Sequence, residues 1–263
     1  MSPISASVTV NVSAPSGAPT PWRKNDYSQY ASIAALLADR YNAASNPGGW
    51  WSPATEDSAS NRMTLETSGG PPGGSTQFLR YNWPDRTTAL CTDSTIRINV
   101  QLPQSKADIW LSAWCRFSSN FTTVAPGCTS NPDYKFLFGR VTYGGTGAHR
   151  YSIKVGTYTS RIITLEYPSG ASSVNATAVP ATSYFDGNWH RWRMHCKAST
   201  TVGRLAVYFD DTLVKDLNNI NSTTFPIYGF DLGANLNQRP IITGQYNDWG
   251  LLEIYDTDPG WGF

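Results

Sequence analysis

Apolar and polar residues alternate with a period of two along 189–197. Trp192, Met194 and Cys196 fall on one side, and Arg191, Arg193, His195 and Lys197 on the other. That is the pattern of a strand with one face against a core. The segment 203–210 repeats it, with Leu205, Val207 and Phe209 alternating with Ala206, Tyr208 and Asp210. Asp210 and Asp211 then supply a turn before the chain resumes at Leu213 and Val214. Further strand patterns fall at 62–66, 77–82, 95–102, 108–117, 134–141, 150–157, 162–167, 227–232 and 250–256, broken by Gly, Pro, Asn and Asp. Many short strands at this spacing predict a sandwich or jelly roll. One segment has a helical stripe instead: Ile33, Leu36, Leu37 and Tyr41 predict a helix from Ser28 or Ser32 to Ala44, stopped by the Gly and Pro after Asn46. No fixed-period repeat is visible, which excludes a propeller or solenoid.

The run DGNWH at 186–190, followed by GRLAVYFDD at 203–211, resembles a passage of the concanavalin A-like lectin/glucanase (LamG-like) jelly rolls. There a strand opening DGxWH precedes a strand of alternating hydrophobics that ends in Asp. The closing segment WGLLEIYDTDPGW at 249–261 is similar to the last strand of that fold, which returns beside the N-terminal strands. The resemblance covers roughly residues 50–263 and implies an all-β, concanavalin A-like two-sheet antiparallel jelly-roll sandwich with one short N-terminal helix. Residues 22–263 form that domain. Residues 1–21 read as an arm: Val8, Val10 and Val12 make a short strand pattern, and the Pro-rich stretch 14–21 makes a stiff spacer.

Composition narrows the function. A chain of 263 residues with ten Trp, fourteen Tyr and only 15% charged residues is neither disordered nor a helical bundle. A formal net charge of +1 creates no field that would draw it to nucleic acid or an acidic membrane. No apolar run approaches a membrane span, and the start lacks the features of a signal peptide. The surface, rich in Ser, Thr, Asn and Gly, suits an extracellular protein or a virion component released on lysis. Cys91, Cys115, Cys128 and Cys196 permit three full pairings. Cys115 and Cys196 sit at inward positions that favour small buried hydrophobes, Cys91 and Cys128 lie in loop-like sequence, and a link from Cys115 to Cys128 is one option. No cluster has metal-ligand spacing. Asp231 with Asn235, and Asn247 with Asp248, read as turns rather than calcium ligands, so no metal or cofactor is expected.

Catalytic constellations are thin. The fold family's hydrolases use paired carboxylates on one strand face, whereas Glu253 and Asp256 are offset to opposite faces and Glu166 stands alone. Lyases of the fold need a base beside cations that neutralise a uronate carboxylate. His195, Arg193, Lys197, Tyr151 and Lys154 are the ingredients, yet the family's ordered lyase motifs are absent. His149 and His190 read as solvated or core histidines, and no catalytic residue is assigned. For binding, Trp110, Trp114 and Arg116 share a strand face, and with Arg193 and His195 they form the expected ligand site for an acidic glycan. The equal alternative is a face covered by loops or by the helix. The expected function is a non-catalytic virion-surface structural, decoration or adhesion protein, homo-oligomeric, joined to other particle subunits through the arm and recognising cell-surface or acidic polysaccharide. The alternative is a secreted polysaccharide lyase or carbohydrate-binding module acting on an acidic glycan.

Overall fold

The computed structural model describes residues 19–56, 62–83, 91, 94–124, 128, 133–141, 150–156, 161–168, 170–175, 183–222, 224–233, 235–236 and 243–261. Val8, Val10, Val12 and His149 lie outside them. In chain order the strands are Arg23–Asn25 (β1), Trp51–Glu56 (β2), Met63–Glu66 (β3), Phe78–Asn82 (β4), Ser94–Lys106 (β5), Asp108–Phe117 (β6), Asp133–Val141 (β7) and Arg150–Gly156 (β8). Then follow Arg161–Tyr167 (β9), Gly170–Asn175 (β10), Trp189–Lys197 (β11), Gly203–Phe209 (β12), Thr212–Ile220 (β13), Ile227–Leu232 (β14), Asn235–Leu236 (β15) and Tyr246–Tyr255 (β16). Among the described residues a single helix, Ile33–Ala38 (α1), lies between β1 and β2.

The strands form two antiparallel sheets that face each other across an aromatic core, a concanavalin A-like jelly-roll sandwich. Sheet A runs β13-β12-β11-β6-β16-β4-β3 with β1 also on β16; sheet B runs β10-β9-β8-β7-β14-β5-β15 with β2 also on β5. In sheet A, Trp192 pairs with Ala113 on one side and Phe209 on the other, and Met194 with Leu111 and Val207. All six lie in the interior, Phe209 at 8% exposure and the rest at 0%. In sheet B, Leu137, Ile153 and Leu165 form the matching inward row. The parity read from the sequence is therefore the one adopted. The reverse parity would expose Trp192 and bury Arg191 and Arg193, at several kcal/mol.

Phe136 of sheet B joins the layers: its ring meets Trp192 edge-on at 4.9 Å and stacks on Trp249 at 5.8 Å. Among the described residues, tyrosines cross the interior and hydrogen-bond to the opposite sheet. Tyr81 OH donates to Leu232 O at 2.8 Å, and Tyr151 OH to Lys197 O at 2.7 Å. β14 and β15 occupy one line between β7 and β5, interrupted at Gly233, where φ is +72° and a Cβ would lie 2.5 Å from Ile96 O, leaving no room for a side chain. Cys115 and Cys196 are free and buried as expected, and the disulfide joins Cys91 to Cys128 rather than Cys115 to Cys128. Cys115 projects into the core from β6, which takes it away from the loops.

The helix stops at Ala38, six residues short of the expected end. Ser32 caps its start, its hydroxyl accepting from Ala35 N at 3.1 Å. Beyond Ala38 the Asp39 carboxylate accepts from Tyr30 OH at 2.6 Å and Asn46 Nδ2 at 3.1 Å, and Tyr41 N donates to Trp51 O at 2.8 Å. Pairing with β2 thus takes the donors that a longer helix would need. Of the predicted stripe only Leu36 is fully buried.

Replacing Trp192 with Ala should lower unfolding free energy by about 3–5 kcal/mol, because a core indole leaves a cavity. Arg191→Ala, on the opposite face of the same strand, should change it by less than about 1 kcal/mol. Urea denaturation of both variants checks this, and equal losses would refute the register.

Candidate functional site

The five predicted ligand residues do share one surface. The β6–β11 register sets Trp110 opposite His195, Ser112 opposite Arg193, Trp114 opposite Arg191 and Arg116 opposite Trp189. All point away from the core on the outer face of sheet A. That face is not an open platform, however. Trp110 is 7% exposed, its ring stacked on His195 at 4.3 Å and 9°. His195 Nε2 lies 2.6 Å from Asp108 Oδ1. Arg116 bonds Asp248 at 2.6 Å and sits over Trp189 at 4.7 Å. Arg80 holds the same carboxylate from β4, with Nε at 2.7 Å from Oδ1. Asp248 has no exposure, and two guanidinium groups bonded to it compensate the loss of water. Asn247 and Asp248, read as a turn, are interior residues of β16: the strand begins four residues earlier than its apolar run suggested.

Loops complete the closure. Trp189 Nε1 donates to Gly69 O at 2.8 Å, and a Cβ on Gly250 would lie 2.4 Å from Pro71 Cγ. The Gly-Pro loop around 69–74 therefore lies directly on sheet A and requires glycine beneath it. Trp261 covers Arg193, its ring centroid 5.0 Å from the guanidinium. Within this crowded face, Trp110 Nε1 and Arg193 Nε are buried donors with no hydrogen-bond partner among the described residues. A buried donor left unmatched costs about 1–3 kcal/mol.

The outer face of sheet B has a different character. Asp231 on β14 pairs with Asn99 of β5 and Phe138 of β7 in register. Its carboxylate, 4% exposed, is 3.1 Å from Arg140 Nε and 3.9 Å from Arg97. Beside it, Lys154 bridges Glu166 and Asp133, the latter at 3.8 Å, and Ser152 Oγ donates to Glu166 at 3.0 Å. Glu166, which seemed isolated in the sequence, belongs to this network, and Asp231 is a strand residue rather than part of a turn. Arg97 and Arg140 retain 29% and 30% side-chain exposure, against 13% at Arg193 and 18% at Arg116. Cations on sheet B are thus the more accessible to a ligand. The lyase ingredients are split: Tyr151 points into the core, Lys154 outward on sheet B, and His195, Arg193 and Lys197 lie on sheet A. The only hint of the sheet B network in the sequence was outward parity, since its partners come from five strands.

A third cluster sits at the β12–β13 hairpin. Asp210 and Asp211 adopt φ of +44° and +68°, the two positive values of a type I′ turn, which suits β-strand twist but strains non-glycine residues. Contacts offset that strain. Asp211 bonds both Arg191 and Arg193, and Asp210 accepts from Arg191 N at 2.9 Å. His190 lies between two carboxylates, Nδ1 at 2.6 Å from Asp210 and Nε2 at 3.0 Å from Asp186, with its ring stacked on Phe209 at 4.8 Å. Both ring nitrogens face acceptors, so the geometry is satisfied fully only by the protonated imidazole.

No protein-family model matches the chain, and no curated protein does either. Among solved structures, the alginate lyase Aly36B is similar, with a TM-score of 0.56 at 15% identity over 90% of this chain and 98% of that one. The GH131 beta-glucanase catalytic domain from Podospora anserina aligns with a TM-score of 0.56 at 11% identity over 91% of this chain and 97% of that one. At such identities the likeness establishes the shared jelly-roll fold.

The hairpin cluster sets a pH dependence. Burial lowers the pKa of His190, but hydrogen bonds and charges from Asp210 and Asp186 outweigh it, and the net shift is upward. Burial likewise raises Asp186 and Asp210, and their hydrogen bonds outweigh it downward. A raised histidine stabilises the fold fully below its unfolded value of about 6.5 and loses that contribution as pH rises through the folded value. The lowered carboxylates contribute above about 3.9 and lose it as pH falls through their folded values. His190→Gln should therefore lower the melting temperature by about 2–4 °C at pH 5 and by less at pH 8. A deficit that grows between pH 5 and 8 would contradict the assignment.

Proposed function

We propose that the protein recognises an acidic polysaccharide along the outer face of sheet B, with Arg97 and Arg140 as the carboxylate-binding pair. The observation that supports this most directly is their position at mid-sheet: both remain about a third exposed while a nearly buried Asp231 holds them in place. Guanidinium groups positioned in advance lose little freedom when they meet a carboxylate in two-point geometry. Asn99 and Gln101 alternate with Arg97 along β5 and supply amide chemistry for sugar hydroxyls. Among the described side chains, Arg97, Arg140, Lys135 and Lys154 outnumber the carboxylates of Asp133, Asp231 and Glu166 on this face. An anionic ligand is favoured over a neutral one.

A second reading, a polysaccharide lyase at the same face, is supported by Tyr228. Its ring centroid lies 6.0 Å from the Arg140 guanidinium, so a phenol accompanies a carboxylate-neutralising cation. The named activity of the alginate lyase of similar fold agrees with this reading but carries no residue over to this chain.

Isothermal titration with oligouronates should show binding that Arg97→Ala with Arg140→Ala weakens about a hundredfold, with neutral glucans bound far less. Undiminished binding would remove this face. Unsaturated uronate ends, detected by ultraviolet absorbance and lost in Tyr228→Phe, would replace binding alone by the lyase reading. Reducing ends released from β-glucan and lost in Glu253→Gln would replace both.

Particle attachment through the arm is a separate proposal. Among the described residues strand pairing begins at β1, and deletion of residues 1–21 is expected to leave circular dichroism and melting unchanged while abolishing oligomerisation or attachment. A truncated chain that assembles normally would refute it.

A further inference from the structure

We infer that Trp261 is a displaceable lid over a second carboxylate site on the outer face of sheet A, independent of the sheet B face. The floor of this site is set by register. Tyr255 of β16 lies opposite Trp110 of β6, Trp110 opposite His195 of β11, and Ser112 of β6 opposite Arg193. Trp110 is more than nine-tenths buried, and its indole N–H has no hydrogen-bond partner among the described residues. The same holds for Nε–H of Arg193, one residue pair along. Two buried donors on one face in neighbouring residue pairs, one of them on a cation, suit a carboxylate, whose two oxygens both accept.

Charge points the same way. Arg191 and Arg193 both bond the one carboxylate of Asp211, which is itself 57% exposed. Burial, and then the neighbouring Arg191, lower the Arg193 pKa against the opposing charges of Asp211, Tyr255 and Glu253, the last on β16 opposite Ser112, and an added anion would favour the charged guanidinium further.

The tail that covers this floor is anchored at its start and exposed along its middle. Asp256 is anchored by Lys106 at 3.1 Å, whereas Thr257, Asp258 and Gly260 are exposed. Asp258 Oδ1 accepts from Gly260 N at 2.8 Å, and Gly260 turns the chain with φ of +72°. Trp261 then returns over Arg193 and meets Tyr255 edge-on at 5.8 Å. Its indole contributes stacking to the guanidinium but no acceptor for either orphan N–H. A ligand bearing a carboxylate supplies what the lid lacks.

The test uses the full chain carrying Arg97→Ala and Arg140→Ala, so that binding at sheet B is absent and failure of either site is read separately. Glucuronate is the probe and glucose the neutral control. Trp261→Ala should bind glucuronate about tenfold more tightly than the parent, with glucose unaffected. Trp261→Phe, which keeps a ring in place, should behave as the parent. Adding Arg193→Gln to Trp261→Ala should abolish the gain. In the Trp261→Ala protein the Trp110 indole N–H resonance should move on titration. Near-ultraviolet circular dichroism verifies that each variant is folded. Equal glucuronate affinity with and without Trp261, together with an unmoved Trp110 resonance, would mean that the orphan donors serve a bound water only and would overturn the proposal.

Discussion

The contact of Phe136 with Trp192 and Trp249 is the constraint on which the rest of the molecule depends. One ring from sheet B is held by two from sheet A, and around it Phe117, Tyr134, Tyr184 and Phe209 fill the space with edge-to-face contacts. Interiors are packed as tightly as organic crystals, so a ring of this size admits one register of each strand. A shift by one residue would turn every outward side chain of that strand inward. The charged chemistry of both outer faces is thus positioned by aromatic packing beneath it.

Once parity is set, the two faces answer the same electrostatic demand differently. On sheet A a fully buried Asp248 is satisfied by Arg80 and Arg116, and aromatic rings close over the guanidinium groups. On sheet B the equally central Asp231 meets Arg140 and Arg97 at longer distances, with both cations more open to solvent. Partial burial strengthens an ion pair, yet desolvation removes much of the gain, so neither cluster is a large net source of stability. What such clusters provide is fixed geometry. The closed one orders loops and the tail; the open one presents ordered cations to solution.

Strand existence and parity were legible in the chain because both follow from local alternation. β6, β11 and β14 fall at the residues the pattern indicated, and the buried set at Leu111, Met194, Val207 and Ile254 was readable residue by residue. The shortfall came where distant segments decide. The helix pattern ran on to Ala44, but Asp39 and Tyr41 are claimed by Tyr30, Asn46 and Trp51, the last in another element. β10 and β15 are short and lack alternation. For the candidate sites, the sequence showed which residues share a face but not what lies above it. Nothing local in Trp110, Trp114 and Arg116 discloses that Pro71 and Trp261 return over their sheet. Likewise Glu166 meets Lys154 only because β8 and β9 pair in one register.

The hairpin at Asp210 and Asp211 shows how those long-range decisions feed back on local structure. A glycine would adopt these backbone angles with less strain, yet here each aspartate has a partner that glycine lacks. Asp210 receives His190 and the Arg191 amide, and Asp211 ties together the two arginines that β11 sends to its outer face. Strain in the turn is exchanged for order in Arg191 and Arg193. Because Arg193 also forms the floor beneath Trp261, turn, cation and tail are linked through contiguous contacts. The protonated His190 is thereby joined to the sheet A floor through Asp210 and the Arg191 backbone.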